Sequence, residues 1–302
     1  EIWASGIKKK LDEINLLERP IHIISANMHS VMNTIYSPFA LTAEHKKHSA
    51  MEIYEKLSDS KNTLLREKVM KYAAQNGLIY IKDNSGTNIN VQIIDTAKLP
   101  NTLTNSAIDA MPVLIVMDYA FGEQAFETLD ELLKPYKKSK KIINFLDVKS
   151  VSIMGKAGIL EGGKGDIMLP SAHVFEGTAD NYPFKNMLKK SHFEGEDVKV
   201  CKGAMITVLG TSLQNKDILK FFKNSTWNVV GLEMEGAHYQ KAIQSASKIR
   251  RSISSKVKVQ YAYYASDNPL ETGGTLASGG LGTSGIKPTY LITEKMLNQI
   301  LV

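Results

Sequence analysis

The 302-residue chain is long enough for one large or two small α/β units and can bury a core without covalent staples. Its one cysteine, Cys201, excludes an internal disulfide and a cysteine metal cluster, which points to a reducing cytoplasm. No apolar run approaches the ~20 residues of a membrane span, and the opening Glu1-Ile-Trp-Ala-Ser is not a signal peptide. The start without Met suggests a processed or trimmed polypeptide. With 37 basic and 31 acidic residues the net charge is +6. Its basic clusters, such as Lys8-Lys-Lys10 and Lys137-Lys-Ser-Lys-Lys141, lack interleaved aromatics, so they read as solvated faces with a mild pull on anions and not as a nucleic-acid surface.

In chain order, the spacing of Ile7, Leu11, Ile14 and Leu17 predicts a helix over 4–18, stopped before Pro20. Residues 21–26 read as a first strand, and 41–57 and 62–75 as Lys- and Glu-rich helices. Residues 78–83 and 90–95 read as strands of a hairpin turned at Asn84-Ser-Gly-Thr. The apolar run 112–118 predicts a strand and 123–134 a helix closed by Pro135. Strands follow at 150–154, 166–169 and 198–208, with a surface excursion over the site at 176–197. A helix near 215–223, a strand at 227–232, a helix at 235–251, a strand at 257–265 and a helix at 288–300 complete the chain. Gly273 to Gly285, with six glycines, predicts a mobile loop. Strands alternating with helices predict a single α/β domain over 1–302, a three-layer sandwich around a twisted, mostly parallel sheet. Residues 1–20 form its N-terminal helix and 41–110 a divergent insertion.

Two strings stand out. Gly231-Leu-Glu-Met-Glu-Gly-Ala-His238 and Ala265-Ser-Asp-Asn-Pro269 each follow a strand-like run. In a parallel sheet this puts Glu233, Glu235 and Asp267 at neighbouring strand carboxyl ends, where open α/β sheets bind small molecules. Converging carboxylates suit acid chemistry on a small polar substrate. Each has a plainer role: Glu235 suits the positive end of a helix, Asp267 the turn before Pro269, and Met234 core packing.

From Asp118 onward the motif order resembles the nucleoside phosphorylase and nucleosidase superfamily, which includes purine nucleoside phosphorylase, methylthioadenosine nucleosidase and AMP nucleosidase. The resemblance covers roughly 112–269. It rests on Asp118-Tyr-Ala-Phe-Gly-Glu-Gln-Ala125, Gly155-Lys-Ala-Gly-Ile-Leu160, Gly165-Asp-Ile167, the 231–237 string and Ser266-Asp267. It implies cleavage of an N-glycosidic bond of a purine nucleoside or nucleotide by water or phosphate, in a protein assembled as a homo-oligomer, with no cofactor and no metal. It also implies that Glu235 grips the ribose 2′ and 3′ hydroxyls, that Met234 packs on the sugar, and that Asp267, oriented by Ser266, protonates the base towards N7. The loop Gly155, Lys156, Ala157, Gly158 would lie beside the attacking group, and Leu213, after Ser212, against the base.

Departures from the family pattern are informative. Lys156 stands where phosphorolytic relatives often have a small hydroxyl residue, and Ile153 where many have a phosphate-binding arginine. The first strand's Ser25-Ala-Asn-Met-His-Ser30 lacks both the phosphorylase Gly-Asp-Pro-x-x-Arg pattern and the nucleosidase glutamate. Hydrolysis is therefore favoured, with inorganic phosphate kept as a possible co-substrate. Asn27 and His29 sit at that strand's end, and His29 with Lys156 would recognise a phosphate already on the substrate. Glu123 and Glu176 are spare carboxylates for activating water. A catalytically silent nucleoside or nucleotide sensor on the same fold is the alternative. His45 and His48 have the spacing of a zinc pair but no third ligand nearby. No Gly-x-Ser-x-Gly elbow, Walker loop or dinucleotide fingerprint occurs.

Overall fold

The computed structural model describes residues 1–100, 111–139, 142–178, 180–210, 215–272 and 282–301. The first third holds α1 (Ile2–Glu13), β1 (Ile21–Ser25), α2 (Met28–Ala40), α3 (Thr42–His45), α4 (Ala50–Ser58), α5 (Thr63–Gln75), β2 (Leu78–Ile81) and β3 (Val91–Asp95). The middle holds β4 (Val113–Met117), α6 (Gln124–Leu132), β5 (Tyr136–Lys137), β6 (Ile143–Asn144), β7 (Val148–Ile159), β8 (Ile167–Phe175), β9 (Asn181–Pro183) and β10 (Val200–Thr207). The last part holds α7 (Lys216–Asn224), β11 (Val229–Glu233), α8 (Gly236–Gln244), β12 (Lys258–Asp267), α9 (Pro269–Thr272) and α10 (Ile286–Leu301).

The α/β class is as expected, but the sheet is mixed. Ten strands form it, in the order β11-β10-β8-β12-β7-β1-β4-β3-β2, with β9 on β8. β1 runs parallel to β4 and β7, and β12 to β7, whereas β2, β3 and β4 pair antiparallel. The end of β7 also pairs antiparallel with β11, Gly231 opposite Ile159 and Leu232 opposite Gly158, so β11-β10-β8-β12-β7 close into a barrel.

Side chains alternate across this sheet. Ile115 and Met117 of β4 and Val151 and Ile153 of β7 join a core with α1, α6 and α8. Leu114, Val116 and Met154 join a second core with α2, α4, α5 and α10. Strands buried on both faces read as unbroken apolar runs, which is why β4 was legible.

Several elements differ from expectation for local reasons. The expected helix over 41–57 is two, α3 and α4, separated by a Ser49–Glu52 capping box. α2, which carries Pro38 and many polar residues, has no sequence signal as a helix; it is held by packing against its neighbours and by an Asn27 cap that accepts from Ser30 N at 3.0 Å. The segment 155–158 is not a loop: β7 runs straight through it. Gly155 is where a Cβ would lie 2.7 Å from the Tyr263 ring, so its backbone approaches β12 closely. The excursion at 176–197 lies against β8 and β12 through β9 and Asn186 and buries Leu188 and Phe193; it does not cover the main cavity. Most of the glycine-rich stretch 273–285 lies outside the described residues.

Barrel closure has a steric condition. A Cβ on Gly231 would sit 2.6 Å from the Gly158 carbonyl oxygen and overlap Met168 Sδ. Gly231→Ala is expected to lower unfolding free energy by about 2–4 kcal/mol. Gly6→Ala, in α1 with open space around it, is expected to raise it by about 0.5–1 kcal/mol. Urea denaturation measures both, and equal effects would refute the closure constraint.

Candidate active site

A cavity of about 700 Å³ opens at the carboxyl ends of the central strands. β7 supplies Ile153 to Ala157; the β11–α8 junction supplies Glu233, Met234, Glu235 and Tyr239; β12 supplies Tyr263, Tyr264 and Ser266. The segment after β4 adds Tyr119 and Phe121, the start of α2 adds Asn27 and His29, and α5 and α10 add Arg66 and Tyr290. β11 and β12 are not sheet neighbours, which corrects the expectation. They meet because Gly158 pairs with Leu232 on one side and Asp267 on the other. Two strand spacings, about 10 Å, thus separate the two motifs.

Glu233 is fully buried and saturated with partners. Its Oε1 accepts from Thr207 Oγ1 and lies 3.3 Å from His173 Nδ1. Its Oε2 accepts from Glu235 N at 2.6 Å and from Gly236 N. Burial pushes its carboxyl up, but the His173 ring, the Thr207 hydroxyl and the Gly236 N–H together hold it below its ordinary value. His173 is wholly buried, stacked on Phe184 and tilted against Tyr261. Four contacts leave Glu233 little capacity to accept a proton; it anchors the first turn of α8. Its role was legible only as a carboxylate near the site, and His173 as its partner gave no sequence signal.

Glu235 is the freer acid. Its Oε1 accepts from Gly122 N at 3.1 Å, after β4. Burial, and then the negative charge of Glu233, raise its carboxyl to about 7. Met234 is half-buried beside it. Ser266 Oγ lies 2.6 Å from Asp267 Oδ1 and 3.2 Å from Ala157 O. Asp267 itself does not line the cavity; it is buried one residue beyond Ser266, with Oδ2 making no hydrogen bond among the described residues. Tyr263, Tyr264 and Tyr119 also line the cavity, but lying in or next to strand-forming runs they carry no sequence signal as site residues. Burial raises the Tyr263 and Tyr119 phenols well above their ordinary value.

The remaining sequence candidates divide. Gly155, Lys156, Ala157, His29 and Asn27 line the cavity, with Lys156 and His29 exposed and Asn27 spending its side-chain oxygen on the helix cap. Gly158 is outside the lining and acts at the barrel seam. Glu123 is exposed and Glu176 half-buried; neither lines the cavity. Ser212 and Leu213 lie outside the described residues. His45 meets Ser37 Oγ at 3.2 Å and His48 lies 3.8 Å from Glu52. Among the described residues no cluster of three potential metal ligands occurs, and no helix is long and apolar enough to cross a membrane.

Residues 47–302 match a family of unknown function, DUF6909. The chain belongs to that family. No curated protein matches the sequence. Among solved structures, this DUF6909 member is similar to the 5′-methylthioadenosine/S-adenosyl homocysteine nucleosidase of Campylobacter jejuni. The TM-score is 0.54 at 12% identity, covering 93% of this chain and 98% of that one. A futalosine hydrolase mutant of Helicobacter pylori gives a TM-score of 0.52 at 11% identity, covering 93% and 99%. The nucleosidase of Helicobacter pylori with butyl-thio-DADMe-Immucillin-A gives 0.52 at 12%, covering 94% and 98%. The fold is thus the one these nucleosidase and futalosine hydrolase structures share.

A buried acid raised to about 7 opposes the folded state of the empty protein once it ionises. The favourable contribution is complete below the ordinary glutamate range and fades as pH climbs from about 4.5 to about 7. Glu235→Gln keeps an acceptor for Gly122 N and removes the clash of charge with Glu233. The melting temperature of that variant is therefore expected to exceed the parent's at pH 8 and to match it near pH 4. A variant less stable at pH 8 would refute the electrostatic account.

Proposed function

We propose that this DUF6909 protein cleaves the N-glycosidic bond of a purine nucleoside or nucleotide, with water as the attacking group. The observation that carries the reading is that Glu235 and Ser266 line one cavity, with Asp267 next in chain beyond Ser266. The fold shared with known nucleosidases supports it, and one of those, from Helicobacter pylori, holds 5′-methylthioadenosine in its active site.

In this reading the ionised Glu235 accepts from the ribose 2′ and 3′ hydroxyls, a fork that one carboxylate can hold. Met234 packs on the sugar, and Glu233 fixes the turn that aims both. As the bond from C1′ to the base breaks, the sugar acquires oxocarbenium character and the base gains electrons. Asp267, which sits behind Ser266 and is held by its hydroxyl on the cavity wall, protonates the base towards N7 once the base is seated against β12. Water bonds to C1′ as the bond to the base breaks and releases its proton to solvent, from which Asp267 is reprotonated, so that free purine and ribose result. The buried Ile153 on the cavity wall, in place of an anion-binding arginine, supports water over phosphate. Because only ionised Glu235 can take both hydroxyls, affinity for the ribose is expected to rise as pH climbs towards 7 and to level off above it.

Incubation with adenosine, inosine, 5′-methylthioadenosine and AMP, with and without phosphate, is expected to release free purine from at least one. Asp267→Asn is expected to lower kcat by about 10²–10⁴-fold with little change in KM. Unchanged turnover would remove Asp267 from the mechanism. Tight binding without any base release would assign the protein as a nucleoside or nucleotide sensor instead.

A further inference from the structure

The two faces of the sheet give the cavity opposite charges. Glu235 enters from the α8 side, whose helix packs with Ile153 and Tyr263 in one core. Lys156 shares strand parity with Met154, which belongs to the opposite core of α2, α4, α5 and α10, and it pairs in register with Tyr264 on β12. That opposite side also contributes His29, at the start of α2, and Arg66, in the first turn of α5. Three separate elements thus present basic side chains to one side of the cavity, across from the carboxylates.

Among the described residues these cations, Arg66, Lys156 and His29, have no carboxylate partner. Arg66 donates from Nη2 to Ser60 O at 2.9 Å. Arg19, Arg250 and Lys295 each hold a carboxylate (Asp95, Asp130 and Glu196), whereas Arg66, itself half-buried, meets only a backbone carbonyl. A guanidinium and an ammonium left unpaired in a cavity are a recognition site for a compact dianion, the guanidinium by its planar fork and the ammonium as a point charge.

We infer that Arg66 and Lys156, with His29, bind a phosphomonoester carried at the 5′ position of the substrate, so that the preferred substrate is a purine nucleoside 5′-monophosphate. This inference rests on the glycosidic-cleavage reading for the identity of the sugar and base. A nucleotide fits the polarity of the cavity end to end: its hydroxyls face Glu235 and its phosphate faces the cations, while the reverse pose sets the dianion against two carboxylates. Arg66 had no sequence signal, since its helix reads as a Lys- and Glu-rich surface element.

The test compares base release from AMP, adenosine and 5′-methylthioadenosine, each with and without inorganic phosphate, alongside calorimetric binding of AMP and adenosine. AMP is expected to exceed both others in kcat/KM by about 100-fold, and inorganic phosphate to compete with AMP without speeding release from adenosine. Arg66→Ala and Lys156→Ala are each expected to lower the AMP-to-adenosine ratio of kcat/KM by about 10-fold or more, mainly through KM. Equal efficiency for AMP and adenosine, or equal losses for both in the two variants, overturns the phosphate site. Faster base release from adenosine on adding inorganic phosphate, with ribose 1-phosphate as product, also overturns it, because the cations then hold a co-substrate. If no substrate is cleaved, the glycosidic reading falls separately. Binding then decides the anion site alone: AMP at least 10-fold tighter than adenosine sustains it, and equal affinity overturns it.

Discussion

The antiparallel seam between β11 and β7 is the constraint on which the site depends. Leu232 and Asp267 both register on Gly158, from opposite sides, so that single residue sets the spacing of the two acidic motifs. The seam forms only because Gly231 has no Cβ to strike the Gly158 carbonyl and Met168. An open, fully parallel sheet would place β10, β8 and β12 in sequence beyond β11 and leave the motifs three strands apart in order. Closure instead brings the edge strand back onto the long β7.

Around that seam two glutamates two residues apart are given different tasks by their surroundings. Glu233, with four partners, holds a stable negative charge whose hydrogen-bonding capacity is used up in fixing the start of α8. Glu235, held by backbone N–H groups that offset neither its burial nor that charge nearby, is the destabilised member. In the proposed reaction, two ribose hydroxyl protons donated to Glu235 would relieve this electrostatic stress. The fully buried His173 belongs to the same assembly: with Thr207 it draws Glu233 into its anionic form within the aromatic setting of Phe184 and Tyr261.

The cavity's far wall comes from outside residues 112–269, the stretch that carries the sequence motifs. α2, α4 and α5 pack with α10 over one face of the sheet and bring Arg66 and His29 to the strand ends. The charge separation across the cavity follows from the pleat: adjacent residues of β7 point to opposite faces, so Lys156 and its neighbours Gly155 and Ala157 serve different walls.

The sequence by itself determined the α/β class and most strand and helix positions, and it singled out the strings around Glu235 and Asp267 as candidates, because local periodicity and short motifs are properties of contiguous residues. It also made Lys156, His29 and Asn27 candidates, and they share the cavity. It did not determine that 155–158 continue a strand, that α2 is helical despite Pro38, or that Arg66 reaches the cavity. Nor did it show that the strands of the two acidic motifs meet through β7 and not side by side. Those outcomes rest on which backbone approaches which, as at Gly155 against Tyr263 and Gly231 against Gly158. Such approaches are set by packing between residues far apart in sequence, where no local pattern records them.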